Sequence, residues 1–92
     1  MKVWYNYFSV GAVVTATAGR EKGEIFLISN DNGEYAYLIN GKSRTIENPK
    51  KKNIKHLNLL CKSELTGLDL ENLTNAHTIK YLKDYNKSMD YK

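Results

Sequence analysis

The chain is poor in proline and in cysteine, the residue whose disulfides cross-link small secreted domains. Its 92 residues contain one cysteine and one proline. Because Cys61 stands alone, the chain forms no intramolecular disulfide and no site built from several thiolates, which suits a reducing compartment. Long hydrophobic runs are also missing: the apolar stretch from Val10 to Ala18 is interrupted by glycine and threonine and is far too short to cross a bilayer. Since no secretory signal is visible, we expect a cytoplasmic protein without membrane contact.

Side-chain combinations typical of enzymes are lacking as well. The sequence has no paired acids, no phosphate-binding P-loop and no cluster of metal ligands. His56 and Cys61 are close in sequence, but on one strand a separation of five residues would put them on opposite faces. His56 beside Lys55 fits better as a hydrogen-bond donor on a basic surface, and His77 as an exposed residue in the first turn of a helix. We therefore expect no catalytic residue, no metal and no cofactor.

Positive charge is what the chain has in excess, and it is concentrated in one part. The formal net charge is +4 and the isoelectric point is near 9.2. Residues 1–60 carry nine basic and five acidic residues, whereas residues 61–92 carry five of each. The 41% hydrophobic and 26% charged content is typical of a globular protein, and this length allows one hydrophobic core. The local charge excess favours an anionic partner.

Short apolar segments separated by turn residues predict a mainly β fold. Strands are expected over residues 10–18, 24–29, 34–39, 42–47 and 54–60. The segment Asn30 to Gly33 and the pair Asn40-Gly41 have the residues that tight hairpin turns need. Pro49 ends the fourth predicted strand, and Lys50 to Asn53 is expected to be a charged connection. Five strands joined in sequence predict a small closed barrel, since closure removes exposed edges.

The last third of the chain predicts a helix packed on this barrel. Leucines around Gly67 indicate either a helical turn or an irregular arm, and Thr74 or Asn75 is a suitable N-cap for a helix that ends near Ser88. An apolar stripe recurs at helical spacing and is expected to pack on the barrel: Ile79, Leu82, Tyr85 and Met89. A neighbouring face carries Lys80, Lys83 and Lys87 and is expected to be solvated. We expect one domain in two parts, the barrel over residues 1–62 and the arm and helix over residues 63–92.

Two basic segments are the candidate functional elements. Gly19 and Gly23 flank the loop Arg20-Glu21-Lys22, and glycine permits both positive φ and close approach of the backbone to a partner. Cations on a turn held by two strands suit contacts with phosphate. The second segment, residues 42–56, contains one acid, Glu47, and these basic residues: Lys42, Arg44, Lys50, Lys51, Lys52, Lys55 and His56. A segment with so many cations is either a solvated loop kept for solubility or a binding surface for an anionic polymer. In the second case the polymer's condensed counterions would be released on binding.

The same segments resemble the KOW motif of SH3-like barrels. The resemblance is carried by Val10-Gly11, Val13-Val14 and Ala18 to Gly23 with the apolar strand that follows. Downstream, Asn40 to Arg44, Asn48 to Lys52 and Lys55 to Leu57 are similar to one branch of that group: small, free-standing bacterial RNA-binding proteins related to KOW-bearing ribosomal proteins of the large subunit. The match spans about residues 10–60, and the aromatic N-terminal residues 4–8 lie outside it.

This resemblance implies an SH3-like barrel that binds RNA. The partners that it implies are ribosomal RNA or ribosomal particles, with ribosomal proteins as further contacts. Arg20 and Lys22 fall where the motif contacts RNA or protein, and are the expected phosphate ligands there. Lys42, Arg44 and Lys50 to Lys52 match the basic segment that follows. Recognition without a helix depends on phosphate and on shape, and structured RNA offers both.

The aromatic residues leave alternatives open. Tyr35 and Tyr37 share one face of a predicted strand, where they either stack on bases or pack in the core or against a neighbouring strand. Trp4, Tyr5, Tyr7 and Phe8 are expected to cover the open end of the barrel. The alternative function is a protein-interaction module, whose groove or free edge takes a peptide or an acidic partner. In that case Trp4, Tyr35 and Tyr37 would line the groove.

Overall fold

The computed structural model describes residues 9–63, 65 and 67–89, which form five strands and two helices joined by turns and loops. The strands are β1 (Val13–Ala16), β2 (Ile25–Asp31), β3 (Tyr35–Ile39), β4 (Lys50–Asn53) and β5 (Leu57–Cys61). The helices are α1 (Gly67–Glu71) and α2 (Asn75–Met89), and a 3-10 turn, Ile54–His56, joins β4 to β5. The predicted role of Trp4, Tyr5, Tyr7 and Phe8 lies outside the described residues.

One antiparallel sheet contains all five of these strands, in the order β4-β3-β2-β1-β5. Irregularities interrupt the β1–β5 pairing at Val13/Val14 and the β2–β3 pairing at Ile28/Asn30, and such bulges bend strands. The mainly β class with a C-terminal helix is therefore confirmed. The predicted barrel is not closed: β4 and β5 end the strand order, and no ladder joins them within the described residues.

The fourth strand lies elsewhere than predicted. Residues 42–47 form turns, with an isolated bridge between Thr45 and Asn48, so the prediction of a strand there is wrong. The backbone N–H groups of Lys42 and Arg44 donate to the side-chain oxygen of Asn40 at 2.9 and 3.0 Å, which satisfies them inside a turn. The chain does turn at Asn40-Gly41 as predicted, but this turn begins a longer connection from β3 to β4 and is not a tight hairpin.

The lysine run that was predicted to be a connection is itself the strand. β4 pairs with β3, so that Lys50 lies opposite Leu38 and Lys52 lies opposite Ala36. Lysine on an edge strand is a common protection against pairing with another chain. The fifth predicted strand also begins too early, because residues 54–56 form the 3-10 turn before β5 starts.

Apolar side chains pack on both faces of the curved sheet. The inner cluster contains Ala12, Val14, Ala16, Phe26, Ile28, Ala36, Leu38, Ile54 and Leu57. On the outer face Val13, Leu27 and Ile39 form a second cluster with Leu82 of α2. The adjacent residues Val13 and Val14 therefore point to opposite faces and are both buried.

Helix α2 confirms the predicted helix and its cap. The Thr74 hydroxyl accepts from the backbone N–H of His77 at 3.1 Å. Asn75 anchors the start of the helix to the preceding loop: its oxygen accepts from the N–H of Ile46 at 2.8 Å, and its nitrogen donates to Glu47 at 3.0 Å. Neither helix in the described part of the chain has the length and apolar content needed to cross a membrane.

Candidate nucleic-acid interface

A buried carboxylate, Glu21, joins the two basic segments. Arg44 Nη2 lies 3.1 Å from Glu21 Oε2, and Lys52 Nζ lies 3.4 Å from Glu21 Oε1. The Lys52 ammonium also donates to the carbonyl of Ala18 at 2.7 Å. The side chains of Glu21 and Lys52 are each 10% exposed and that of Arg44 is 30% exposed. The loop between β1 and β2 is therefore fastened to β4 and to the turn before it.

Glu21 stays ionised in this position. Desolvation is the largest single influence and raises the pKa of Glu21, but several attractive contacts outweigh it and hold the pKa below its usual value. These contacts are the hydrogen bond from Arg44, a backbone hydrogen bond, the nearby charge of Lys50 and the hydrogen bond from Lys52. The effect of Lys50 indicates that this side chain also lies near the network.

Glycine shapes the loop around this network. Gly19 and Gly23 have φ angles of +84° and +88°, as expected for a loop bounded by glycines. A Cβ atom at Gly19 would lie 2.8 Å from Lys52 Nζ, so a side chain there would displace the lysine ammonium from its present position. The backbone turns tightly, since the N–H of Gly23 donates to Ala16 at 2.9 Å and that of Glu24 donates to Glu21 at 2.9 Å.

The 3-10 turn Ile54–His56 contacts the first residue of the same loop. The N–H of Thr17 donates to the carbonyl of His56 at 2.9 Å, and Ala16 pairs with Leu57 at the start of β5. Lys55 and His56 are both exposed on this turn. Residues 54–56 and the segment around Arg44 and Lys52 thus both contact the β1–β2 loop.

Most of the predicted cations lie near Glu21, whereas Lys42 and Lys51 lie elsewhere. Lys50 is half-buried beside the network. Four others are exposed on the loop or the 3-10 turn: Arg20, Lys22, Lys55 and His56. Arg44 and Lys52 are partnered by Glu21. We call the loop residues 19–23 with Lys50, Lys55 and His56 the loop surface.

Lys42 and Lys51 lie apart from the loop surface. Lys42 lines a groove of about 490 Å³ against α2, together with Asn40, Ile79, Leu82, Lys83 and Asn86. Lys51 projects from the outer face of β4, where its ammonium lies 4.6 Å from the centroid of the Tyr35 ring. The structure therefore does not gather all the predicted site residues in one place.

Glu21 is the residue that the sequence analysis missed. In the sequence it is one acid within a charged loop, and the neighbouring basic residues are the predicted ligands. Its partners are 23 and 31 residues away in sequence, so no local pattern reveals them. The sequence does hold one indication of this role, since Glu21 stands between two cations in a loop bounded by glycines. An exposed acid there would repel phosphate, so an internal partner for Glu21 was to be expected.

Among the described residues no three His, Cys, Asp or Glu side chains are grouped so that they could hold a metal ion. Comparison of the chain with protein-family models found no match, and comparison with curated proteins found none either.

Proposed function

We propose that this protein is a non-catalytic RNA-binding module of the cytoplasm, which holds the phosphate backbone of a structured RNA on its loop surface. The ribosome and its assembly intermediates are the proposed place of action, because the residues that carry the resemblance to KOW proteins include this loop. The observation that carries the proposal is the junction at Glu21, which joins the β1–β2 loop to Arg44 and Lys52 of the second basic segment.

The junction supports phosphate binding because some cations are used to hold the loop in place while others stay exposed to a ligand. Arg44 and Lys52 satisfy the buried carboxylate and fix the loop, while Arg20, Lys22 and Lys55 remain exposed around it. Cations held on a rigid base lose little conformational freedom when they bind, which favours affinity. Contacts with phosphate position an RNA without reading its sequence.

The salt dependence of binding gives a quantitative test. If Arg20, Lys22, Lys50 and Lys55 each neutralise one phosphate, the slope of log K against log salt concentration is roughly −3 to −4. The measurement is fluorescence anisotropy of a labelled, folded ribosomal RNA hairpin at several salt concentrations. In the triple variant Arg20→Gln, Lys22→Gln, Lys55→Gln, we expect weaker binding and a slope reduced by about 2 to 3.

The matched control removes three exposed cations from helix α2. The variant Lys80→Gln, Lys83→Gln, Lys87→Gln loses the same net charge and leaves the loop surface intact. Equal losses in the two variants would mean that net charge alone attracts RNA, and would contradict the proposal. A flat salt response of the natural protein would contradict it as well.

Sedimentation of a cell lysate distinguishes RNA binding from the alternative, a protein-interaction module. We expect the protein to migrate with ribosomal particles and to leave them after ribonuclease treatment. Association with a non-ribosomal protein that survives ribonuclease would favour the interaction module instead.

A further inference from the structure

A second exposed surface lies on the outer face of strands β3 and β4. Residues alternate along β3: Ala36 and Leu38 point inward and are 0% exposed, whereas Tyr35 and Tyr37 are half-buried on the opposite face. The structure excludes a core position for these tyrosines and shows cross-strand packing of Lys51 on Tyr35, whereas base stacking stays a prediction. Neither ring belongs to the two apolar clusters of the described residues.

Helix α2 covers a different part of this outer face. It packs over Val13, Leu27 and Ile39, near the end of β3 where the chain leaves the sheet. Tyr35 and Tyr37 lie toward the beginning of β3, and each keeps part of its surface in solvent.

Polar and cationic side chains surround the two rings. The strand register places Lys51 opposite Tyr37 and Asn53 opposite Tyr35 on β4, and Asn30 opposite Tyr37 on β2. Directly opposed residues of antiparallel strands project to the same face. The Lys51 ammonium reaches diagonally to a point 4.6 Å from the Tyr35 centroid. The outer face thus combines two aromatic rings, one cation and two amides.

We propose that this outer face stacks unpaired bases of the RNA, with Tyr35 and Tyr37 as the platform. The inference rests on the proposed function and specifies which part of an RNA the protein takes. Residues two apart on a strand are separated by roughly 6.6 Å, so each ring can receive its own base. Aromatic rings bind bases of any identity through their π faces. The amide nitrogens of Asn30 and Asn53 can donate to base edges, since each side-chain oxygen already accepts from a nearby backbone N–H.

Charge favours a nucleic acid as the occupant. Lys51 is exposed and its ammonium lies over the Tyr35 ring, where it can also neutralise the phosphate of a nucleotide stacked on this face. The loop surface would hold the paired part of the same RNA by its phosphates, and this outer face would hold a loop or a bulge. Single-stranded loops are where proteins reach RNA bases, since the major groove of an RNA duplex is too narrow to read.

Two RNAs and four variants test the inference on the full chain. One RNA is a hairpin with an unpaired loop, and the other is a blunt duplex of the same stem. For Tyr35→Ala and Tyr37→Ala we expect roughly 5- to 100-fold weaker binding to the hairpin and unchanged binding to the duplex. The slope of log K against log salt should stay the same, because stacking releases no counterions from phosphate. Tyr35→Phe and Tyr37→Phe retain the ring and should bind the hairpin like the natural protein.

The outcomes separate this inference from the proposed function. If the natural protein binds neither RNA, both are overturned. If it binds RNA but the alanine variants keep full affinity for the hairpin, only the stacking inference is overturned. Circular dichroism shows whether the alanine variants are folded. If they are not, the salt dependence of hairpin binding by Lys51→Gln tests the stacking inference instead. That variant should lower the salt slope for the hairpin by about 0.7 and leave the slope for the duplex unchanged; an unchanged hairpin slope would overturn the inference.

Discussion

Neutralising Glu21 tests whether the loop surface depends on a buried ionic junction. The substitution Glu21→Gln keeps the shape of the side chain and removes its charge, so that Lys52 is left with the Ala18 carbonyl and Arg44 with no anionic partner in the junction. We expect the variant to fold, with a lower free energy of unfolding.

The magnitude follows from the exposure of each pair. The Arg44–Glu21 pair is partly solvated, with the arginine side chain 30% exposed, and such pairs contribute about 0.5–1 kcal/mol. The Lys52–Glu21 contact is longer, at 3.4 Å, and although both side chains are only 10% exposed it contributes about 0.5–1 kcal/mol. The expected loss is therefore about 1–2 kcal/mol.

Urea unfolding at several pH values measures this loss. The pKa of Glu21 in the folded protein lies below its usual 4.5, so the carboxylate stabilises the fold above that pH. This contribution disappears as the pH falls through the lowered pKa and the group becomes protonated. The difference in unfolding free energy between the natural protein and Glu21→Gln should be constant near neutral pH and shrink below pH 4.5.

Glu24→Gln provides the matched control, because Glu24 is an exposed acid at the end of the same loop. We expect a change within about 0.5 kcal/mol there. A loss for Glu21→Gln no larger than for the control would refute the reasoning, as would a loss that stays undiminished at pH 3.

Two further predictions concern the attachment of helix α2. Gly41→Ala places a Cβ 2.5 Å from the backbone oxygen of Asn75 at a φ of +81°, so we expect a loss of unfolding free energy well above the roughly 1–2 kcal/mol for positive φ alone. Gly33→Ala is the control, because its φ is +89° but nothing lies within 4 Å; equal losses would contradict the close contact between the turn and the helix. Asn75→Ala removes the hydrogen bond that is the main cause of the lowered pKa of Glu47, so in an NMR titration we expect this pKa to rise toward its usual value. An unchanged pKa of Glu47 would contradict the bond between the two side chains.

Local sequence patterns determined the class of the fold but not the position of every strand. The apolar runs that became β2 and β3 were predicted close to their observed positions, because their side chains enter two cores. Residues 42–47 alternate as a strand does, yet the side chain of Asn40 binds their backbone within a turn. Lys50–Asn53 contains no apolar residue, so local periodicity does not predict a strand there. It forms a strand because it pairs with β3. Both errors come from contacts that a reading of local periodicity does not include.

The backbone conformation of the candidate site's loop was predictable from the sequence, whereas the arrangement of its charged side chains was not. Glycine at both ends of the β1–β2 loop predicted its backbone conformation, and the positive φ angles of Gly19 and Gly23 confirm it. Which cations are exposed and which are internally paired depends on contacts such as Lys52 to Glu21, 31 residues apart. The positions of Lys42 beside α2 and of Lys51 beside Tyr35 likewise depend on the folded sheet.

Chemical-shift mapping by NMR is the most direct test of RNA binding at the loop surface. A folded ribosomal RNA hairpin is titrated into the full-length ¹⁵N-labelled chain at low salt and again at high salt. We expect the amide signals of residues 19–23, Lys50 and Lys55 to shift in proportion to bound RNA, and these shifts to fade as salt is added. Shifts confined to helix α2, or no shifts on addition of RNA, would contradict the account.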